Sequence, residues 1–229
     1  MRSNQYSPPF LPVVINKKNG FTAERFRAIK TNLQFIKAES GAPLQSLVFT
    51  SAHKGEGKSF CALNLAVTYA RQNVRVLLVD ADLYKPKLTG QFQMKYAEGL
   101  SNVLANYADP MALVQGTSEA NLMFLPSGVV PPNPLELINS YRMKEVLETY
   151  KEAFDLVLFD TPPVLLLNDG RILGSLCDGV ILAVRSNVTK EKDVVQAMDL
   201  INRADGRVVG SVLNGKKYGA REMKTYSYY

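Results

Sequence analysis

The chain has 229 residues, of which 46% are hydrophobic and 21% are charged, enough apolar material for one large domain with its own core. No apolar run reaches the roughly 18 residues that a membrane-spanning helix needs, and the N-terminus has no apolar signal core, so we expect a cytoplasmic protein. The single histidine argues against a histidine-based catalytic triad, and the net charge of +6 suits anionic partners, although no basic stripe with interleaved aromatic residues indicates nucleic acid.

The N-terminal segment predicts an arm followed by a helix. Residues 1–20 are predicted to be extended, because their prolines and polar residues disfavour a helix. Residues 22–38 carry apolar side chains at three- and four-residue steps, which predicts a helix. On another flank of this helix Glu24, Arg27 and Lys30 recur every three residues. This charged row is either a solvated face with intrahelical pairs or a set of contacts to a neighbouring subunit.

A strand, a glycine-rich loop and a helix follow in that order. The apolar run at 47–49 predicts a strand at residues 46–49. Residues 51–59 (Ser-Ala-His-Lys-Gly-Glu-Gly-Lys-Ser) form the loop, and residues 59–71 are predicted to form the helix. Gly55 and Gly57 allow the backbone to bend sharply, so that its N–H groups can surround phosphate oxygens. The helix N-terminus adds the positive end of its dipole. The stretch therefore predicts a phosphate-binding loop.

Two side chains at the end of the loop have the chemistry that a nucleotide requires. Lys58 is positioned to reach the β- and γ-phosphates, and the Ser59 hydroxyl to ligate Mg²⁺. Ala52 stands where the usual G-x-x-x-x-G-K-[ST] pattern begins with glycine, and the alternative interpretation is a turn that only caps a helix. The predicted nucleotide-binding residues are Lys54, Gly55, Glu56, Gly57, Lys58, Ser59, Phe60 and, after the last strand, Asn214.

The remainder of the chain alternates between apolar strands and helices. Further strands are predicted at residues 75–79, 122–125, 155–159, 179–184 and 207–213. Helices are predicted at residues 99–105, 135–151, 169–176 and 190–203. This alternation indicates an α/β fold with a mostly parallel sheet flanked by helices. We expect an arm (residues 1–20), one domain (residues 21–214) and a tyrosine-rich tail (residues 215–229).

Acidic residues follow two of the predicted strands directly. Asp80 and Asp82 come after the strand at 75–79, and Asp160 after the strand at 155–159. In parallel sheets ligands bind at the carboxyl ends of the strands, and Mg²⁺ prefers oxygen ligands. We predict that Asp82 is the general base for an attacking hydroxyl; the alternative is that it only supports the metal. The predicted catalytic set is Lys58, Asp80, Asp82 and Asp160, and the predicted metal ligands are Ser59, Asp82 and Asp160.

The nucleotide is predicted to be ATP rather than GTP. Guanine recognition in phosphate-loop GTPases usually needs an Asn-Lys-x-Asp run, and the sequence contains none. Asn214, after the last strand, could hydrogen-bond the edge of an adenine. The expected cofactors are therefore ATP and Mg²⁺.

The last twelve residues contain four of the chain's 11 tyrosines. A segment without apolar periodicity cannot bury them regularly. One interpretation is a partner-docking segment, and the other is a phosphoacceptor tail in which each phosphate adds roughly −1.5 to −2 charges. The candidate acceptors are Tyr218, Tyr226, Tyr228 and Tyr229.

These motifs together resemble the bacterial tyrosine kinases of capsule and exopolysaccharide production. The resemblance rests on the Gly-Glu-Gly-Lys-Ser loop, the apolar strands ending in Asp80-Ala81-Asp82 and Asp160-Thr161-Pro162-Pro163, the Pro-Pro-Asn-Pro loop at 131–134 and the tyrosine-rich end. Glu24, Arg27 and Lys30 resemble the family's E-x-x-R-x-x-R oligomerisation motif, with lysine in the last position.

The resemblance implies an ATP-dependent autokinase on a phosphate-loop NTPase fold of the partition-ATPase type. It also implies a ring-like homo-oligomer in which one subunit's tail enters the next subunit's site, and protein substrates in polysaccharide synthesis. The resemblance further implies activation by the cytoplasmic segment of a separate transmembrane protein, which would recruit the chain to the inner face of the membrane. The alternatives are a partition- or cell-division-type ATPase, whose signature lysine would fall at His53, and a non-catalytic nucleotide-binding scaffold.

Overall fold

The computed structural model describes residues 20–106 and 109–219. Helices and strands alternate along most of this part of the chain. Its helices are α1 (Gly20–Gln34), α2 (Lys58–Ala70), α3 (Lys87–Gln91), α4 (Leu100–Asn106), α5 (Pro134–Ile138), α6 (Tyr141–Ala153), α7 (Asp169–Leu176) and α8 (Glu191–Asn202). Its strands are β1 (Ser46–Ser51), β2 (Val76–Asp80), β3 (Gln115–Gly116), β4 (Leu122–Leu125), β5 (Leu156–Asp160), β6 (Gly179–Arg185) and β7 (Val208–Asn214).

The strands form one sheet in the order β3-β4-β2-β5-β1-β6-β7. All neighbouring strands run parallel except the short edge strand β3, which pairs antiparallel with β4. The central strands are buried along their whole length, as a parallel sheet covered on both faces requires. The predicted α/β class with a mostly parallel sheet is confirmed.

Helices cover both faces of the sheet, and alternate residues of each strand contact opposite layers. In β1, Leu47 and Phe49 pack in the apolar cluster that includes residues of α1, α2 and α3. Val48, between them, packs in the cluster that includes residues of α4 to α8. Strand β1, which leads into the predicted phosphate-binding loop, is thus anchored between two packed layers.

The predicted helix at 135–151 is wrong in one respect, because two helices occupy this region. α5 ends at Ile138, and α6 begins at Tyr141. Ser140 has an extended backbone, and its Oγ accepts a hydrogen bond from the Met143 N–H at 3.2 Å. Serine in this position satisfies a free N–H at the start of a new helix, so the apolar periodicity of the sequence runs across a break.

Smaller differences concern the ends of elements and two short elements. α1 ends at Gln34 rather than residue 38, because the Ala38 N–H bonds to the Ala42 carbonyl across a turn. α3 and β3 were not predicted. Apart from Gly20, the predicted arm lies outside the described residues. No helix in residues 20–106 or 109–219 has the length and apolar character that crossing a membrane requires.

Candidate functional site

The loop between β1 and α2 is shaped by two glycines with left-handed backbone angles. Gly55 has φ +84° and Gly57 has φ +94°, a region that residues with a Cβ rarely adopt. At Gly57 space is also limiting, because a Cβ there would lie 1.9 Å from the Asn214 side-chain nitrogen. The loop then runs directly into α2, which begins at Lys58.

Three side chains from β6, β7 and the segment after β6 hold this loop in place. The Asn214 Nδ2 donates to the Glu56 carbonyl at 2.9 Å, and the Arg185 guanidinium donates to the Gly55 carbonyl at 2.8 Å. The buried carboxylate of Glu56 accepts hydrogen bonds from the Thr189 hydroxyl and from the His53 N–H. The predicted contact of Asn214 with adenine stays a prediction, and the NH2 of its side-chain amide already donates to the loop.

The predicted charged residues meet at the carboxyl end of the sheet, where β2 and β5 lie side by side. The Lys58 Nζ lies 3.3 Å from the Asp82 Oδ2 and 3.4 Å from the Asp160 Oδ1. It is also 3.4 Å from the Ser59 hydroxyl. All four side chains are buried. The structure therefore brings together the lysine of the loop, the carboxylate that follows β2 and the carboxylate at the end of β5.

Burial and charge act in opposite directions on this cluster. Burial by itself lowers the pKa of Lys58, but the charges of Asp160, Asp82 and Asp80 outweigh it, so the pKa is raised above its usual value. For Asp160 burial is the largest effect and raises the pKa, while Lys58 partly offsets it. Lys58 consequently stays positively charged, and this charge favours the ionised form of Asp160.

Asp80, a member of the predicted catalytic set, is turned away from the cavity. It is fully buried, and its Oδ2 accepts hydrogen bonds from the Thr89 N–H at 2.8 Å and hydroxyl at 2.9 Å. Its Oδ1 accepts from the Asp82 N–H at 3.3 Å. Burial and the charge of Asp160 raise its pKa to about 7. Asp80 thus supports the turn that carries Asp82 and adds its charge to the field at Lys58, but it does not line the cavity.

Magnesium fits the oxygen atoms of this cluster. The Asp160 Oδ2 is buried and has no hydrogen-bond partner among residues 20–106 and 109–219. A Mg²⁺ ion, or a water bound to one, would satisfy this oxygen, and the Ser59 hydroxyl is a second oxygen ligand. Within the described residues no group of three His, Cys, Asp or Glu side chains could hold a metal. Mg²⁺ bound to a nucleotide needs only one or two carboxylates besides the phosphates.

A cavity of about 460 Å³ opens in front of the loop. The predicted nucleotide-binding residues Lys54 and Phe60 line it. Its other walls come from the segments after Asp82 and Asp160, whose residues were not predicted to bind the nucleotide: Tyr84, Lys85, Lys87, Pro162, Pro163, Leu166 and Leu167. Their position directly after the two acidic motifs was the available signal.

The charged row of α1 is divided between solvent and core. Glu24 and Arg27 are exposed and paired with each other. Lys30 is buried, its ammonium bonds the Gln72 side chain, and it lies 5.3 Å from the centre of the Tyr69 ring. The intersubunit role of Lys30 stays a prediction, although in this structure its charge is engaged between α1 and α2.

Of the four predicted acceptor tyrosines only Tyr218 lies within the described residues. Its half-buried ring makes an edge contact with the ring of Phe21, and the two ring centroids are 4.8 Å apart. The cations of Arg25 and Lys216 lie over the Tyr218 ring. Tyr226, Tyr228 and Tyr229 lie outside the described residues.

Comparisons with known proteins agree on one group of relatives. A family model described as an AAA domain matches residues 45–208. The chain is 37% identical to the tyrosine-protein kinase YwqD of Bacillus subtilis over 95% of this chain and 90% of that protein. It is 36% identical to the tyrosine-protein kinase CpsD of Streptococcus agalactiae over 84% of this chain and 83% of the relative.

Solved structures give the same result for the fold. The chimerical protein CapA2B2 matches with a TM-score of 0.83 and 32% identity over 90% of each chain. The kinase domain of the Escherichia coli tyrosine kinase ETK matches with a TM-score of 0.83 and 28% identity over 96% of this chain and 89% of that one. The cell division ATPase MinD of Pyrococcus furiosus, at 22% identity, 80% and 79% coverage and a TM-score of 0.65, shares the fold.

Proposed function

This chain belongs to the family of bacterial tyrosine-protein kinases, and we propose that it transfers the γ-phosphate of ATP to tyrosine side chains. The observation that carries this proposal is the ammonium of Lys58 held between the carboxylates of Asp82 and Asp160 beside a phosphate-binding loop. Phosphoryl transfer depends on orientation and charge stabilisation and needs little covalent chemistry from the protein. This arrangement supplies both.

The proposed reaction uses groups of the chain at each step. The loop N–H groups and the N-terminus of α2 bind the phosphates, and Lys58 neutralises the charge that develops on them. Asp82 accepts the proton of the acceptor hydroxyl while the new oxygen–phosphorus bond forms and the bond to the ADP oxygen breaks. When bound by Ser59, Asp82 and Asp160, Mg²⁺ supplies further positive charge at the phosphate oxygens.

We propose that the acceptors are C-terminal tyrosines of a neighbouring subunit. Tyr226, Tyr228 and Tyr229 are the first candidates. Tyr218 is a later one, because its ring is engaged by Phe21 and two cations. Transfer in trans avoids the need for a tail to fold back into its own site. Each added phosphate would then change how the tail interacts with the basic surface of the chain.

Subunit association is proposed to use the exposed part of the α1 row. Glu24 and Arg27 are free to exchange their intrahelical pair for partners on another subunit, at little cost in stability. Arg27→Glu is expected to reduce the oligomer fraction in sedimentation velocity. The matched control is Arg203→Glu, since Arg203 is also exposed and paired with an acidic residue on its own helix. Equal sedimentation of the wild type and Arg27→Glu would rule out this contact.

The family membership also supports a place for the chain in capsule or exopolysaccharide synthesis. We propose that the cytoplasmic segment of a separate transmembrane protein activates it and brings it to the membrane. Protein substrates of the polysaccharide machinery would be phosphorylated in addition to the tail.

The first experiment is phosphotyrosine formation by the purified full chain with Mg-ATP, with and without cytoplasmic peptides of candidate membrane partners. Tyrosine phosphate located by mass spectrometry in the last twelve residues is the expected result. Replacement of Tyr226, Tyr228 and Tyr229 by phenylalanine should remove most of it, and Asp82→Asn should remove transfer while ATP still binds.

Other outcomes would assign a different function. ATP hydrolysis without phosphotyrosine under any condition would favour a nucleotide-gated assembly ATPase. Nucleotide binding without either activity would favour a scaffold. Lys58→Met should abolish phosphotyrosine formation. Its control is Lys192→Met, a change of an exposed lysine on α8, which should retain full phosphotyrosine formation.

A further inference from the structure

The cavity in front of the phosphate loop has an apolar side that phosphate binding does not explain. Tyr84, Leu166 and Leu167 line it together with the loop residues. We call these three residues the acceptor face. Leu166 keeps 59% of its surface exposed, although it lies beside groups that bind an anion. Phosphates are bound by N–H groups and cations, so these apolar side chains are available to another part of a substrate.

The two leucines of the acceptor face lie on a turn that backbone and side-chain hydrogen bonds hold in place. The Leu166 and Leu167 N–H groups both donate to the Pro163 carbonyl at 3.1 Å, which closes a tight turn. The Val164 N–H donates to the Ser51 carbonyl at 2.8 Å, and the Arg171 guanidinium donates to the Val164 carbonyl at 2.8 Å. An exposed leucine on a fixed turn loses little conformational freedom when it binds a ligand.

Lysines surround the same cavity. Lys54, Lys85 and Lys87 are exposed and line it. Within the described part of the chain none of the three forms an ion pair. Asp82 is the acidic residue of the lining, and it is paired with Lys58. The mouth of the cavity is therefore positive, which favours an anionic ligand.

Resting on the proposed kinase function, we propose that the acceptor face binds the phenol ring of the acceptor tyrosine and that Lys85 and Lys87 bind an anionic side chain beside that tyrosine. An aromatic ring gains from contact with leucine and with another aromatic ring. The preferred substrate class is thus a tyrosine with a carboxylate or a phosphate neighbour. A tail that already carries one phosphotyrosine meets this requirement, so one modification would favour the next.

The test is equilibrium binding of labelled peptides to the full chain in the presence of ADP and Mg²⁺, measured by fluorescence anisotropy. Three peptides carry one tyrosine flanked by alanine, by glutamate or by phosphotyrosine. Binding requires no turnover, so its outcome is separate from that of the phosphotyrosine assay. The wild type should bind both anionic peptides about tenfold more tightly than the alanine peptide, and this preference should decrease with salt.

Two variants separate the apolar and the charged parts. Leu166→Ser should weaken binding of all three peptides by roughly tenfold, while the affinity for ADP stays within about twofold. Lys85→Gln combined with Lys87→Gln should remove the preference for anionic flanks and leave the alanine peptide unaffected. Val195→Ser, an exposed valine on α8, is the matched control and should change neither.

Three results would overturn the inference. The first is equal affinity of the wild type for all three peptides. The second is unchanged peptide binding by Leu166→Ser. The third is a loss of ADP affinity in the double lysine variant as large as its loss of peptide affinity, which would assign these lysines to the nucleotide. If only one anionic peptide is preferred, the result identifies carboxylate or phosphate as the natural flank.

Discussion

Lys58→Met should destabilise the folded chain, without nucleotide, far more at pH 8 than at pH 5.5. Methionine has nearly the same volume as lysine, so packing changes little. The substitution removes the cation that lies 3.3 Å from Asp82 and 3.4 Å from Asp160, both buried. Carboxylates left without their partner in a buried site cost roughly 3–5 kcal/mol when ionised. We expect that loss at pH 8.

The pH dependence follows from the carboxylates. Burial already raises the pKa of Asp160, and removal of Lys58 takes away the charge that lowers it. A folded-state pKa above the unfolded value means that stability decreases as pH rises through the folded pKa. At pH 5.5 the cluster can take up protons, and the loss should fall below about 2 kcal/mol. The pKa of Lys58 in the wild type is raised above its usual value. The stability that comes from the protonation of Lys58 is therefore present at both pH 5.5 and pH 8, and it is lost only above about pH 10.

The assay is urea unfolding followed by circular dichroism at pH 5.5 and pH 8 for the wild type and Lys58→Met. Lys192→Met is the control, and its free energy of unfolding should differ from the wild type by less than about 0.5 kcal/mol at either pH. An equal loss for Lys58→Met at the two pH values would refute the reasoning, because it would mean that the carboxylates do not depend on the lysine charge.

Two further substitutions probe the surroundings of the site. Asp169→Asn should raise the free energy of unfolding by on the order of 1–2 kcal/mol at pH 7.5 and much less at pH 4. Burial raises the pKa of this fully buried carboxyl to about 6, and neither of its oxygens has a hydrogen-bond partner among the described residues. Equal urea midpoints of wild type and variant at pH 7.5 would contradict this. Gly57→Ala should weaken ADP binding at least tenfold in calorimetry, because the new Cβ would contact Asn214 and an alanine at a φ of +94° is strained. Adding Asn214→Ala should restore part of the affinity for ADP. Full recovery would show that backbone strain plays no part.

The sequence was most informative where a residue's role depends on its immediate neighbours. The strands at the site are unbroken apolar runs followed by aspartate, and parallel packing brings their ends together whatever the details of the helices. The meeting of Lys58, Asp82 and Asp160 was therefore predictable. Ser140 shows the limit of this approach, because the same apolar period fits one long helix or two short ones, and the cap at Ser140 favours two.

The directions in which side chains point could not be predicted from the sequence pattern. Lys30 continues a charged row at three-residue spacing, yet α2 packs close enough for Gln72 and Tyr69 to take its ammonium inward. Asp80 and Asp82 are equivalent in the sequence, but Thr89 of α3, an element not predicted, binds only Asp80. Both outcomes depend on which surfaces come into contact after folding.

By itself the sequence determined the α/β class, the phosphate loop and the two acidic strand ends, because each rests on local chemistry: apolar runs, glycine freedom and carboxylates at a boundary. The tertiary structure alone decided which groups hold the loop and which face the substrate. Thr189 and Arg185 reach the loop from more than 100 residues away, and Leu166 joins Tyr84 around one cavity. Such contacts are set by the packing of segments that are distant in the sequence, and the periodicity of residues along the chain does not predict them.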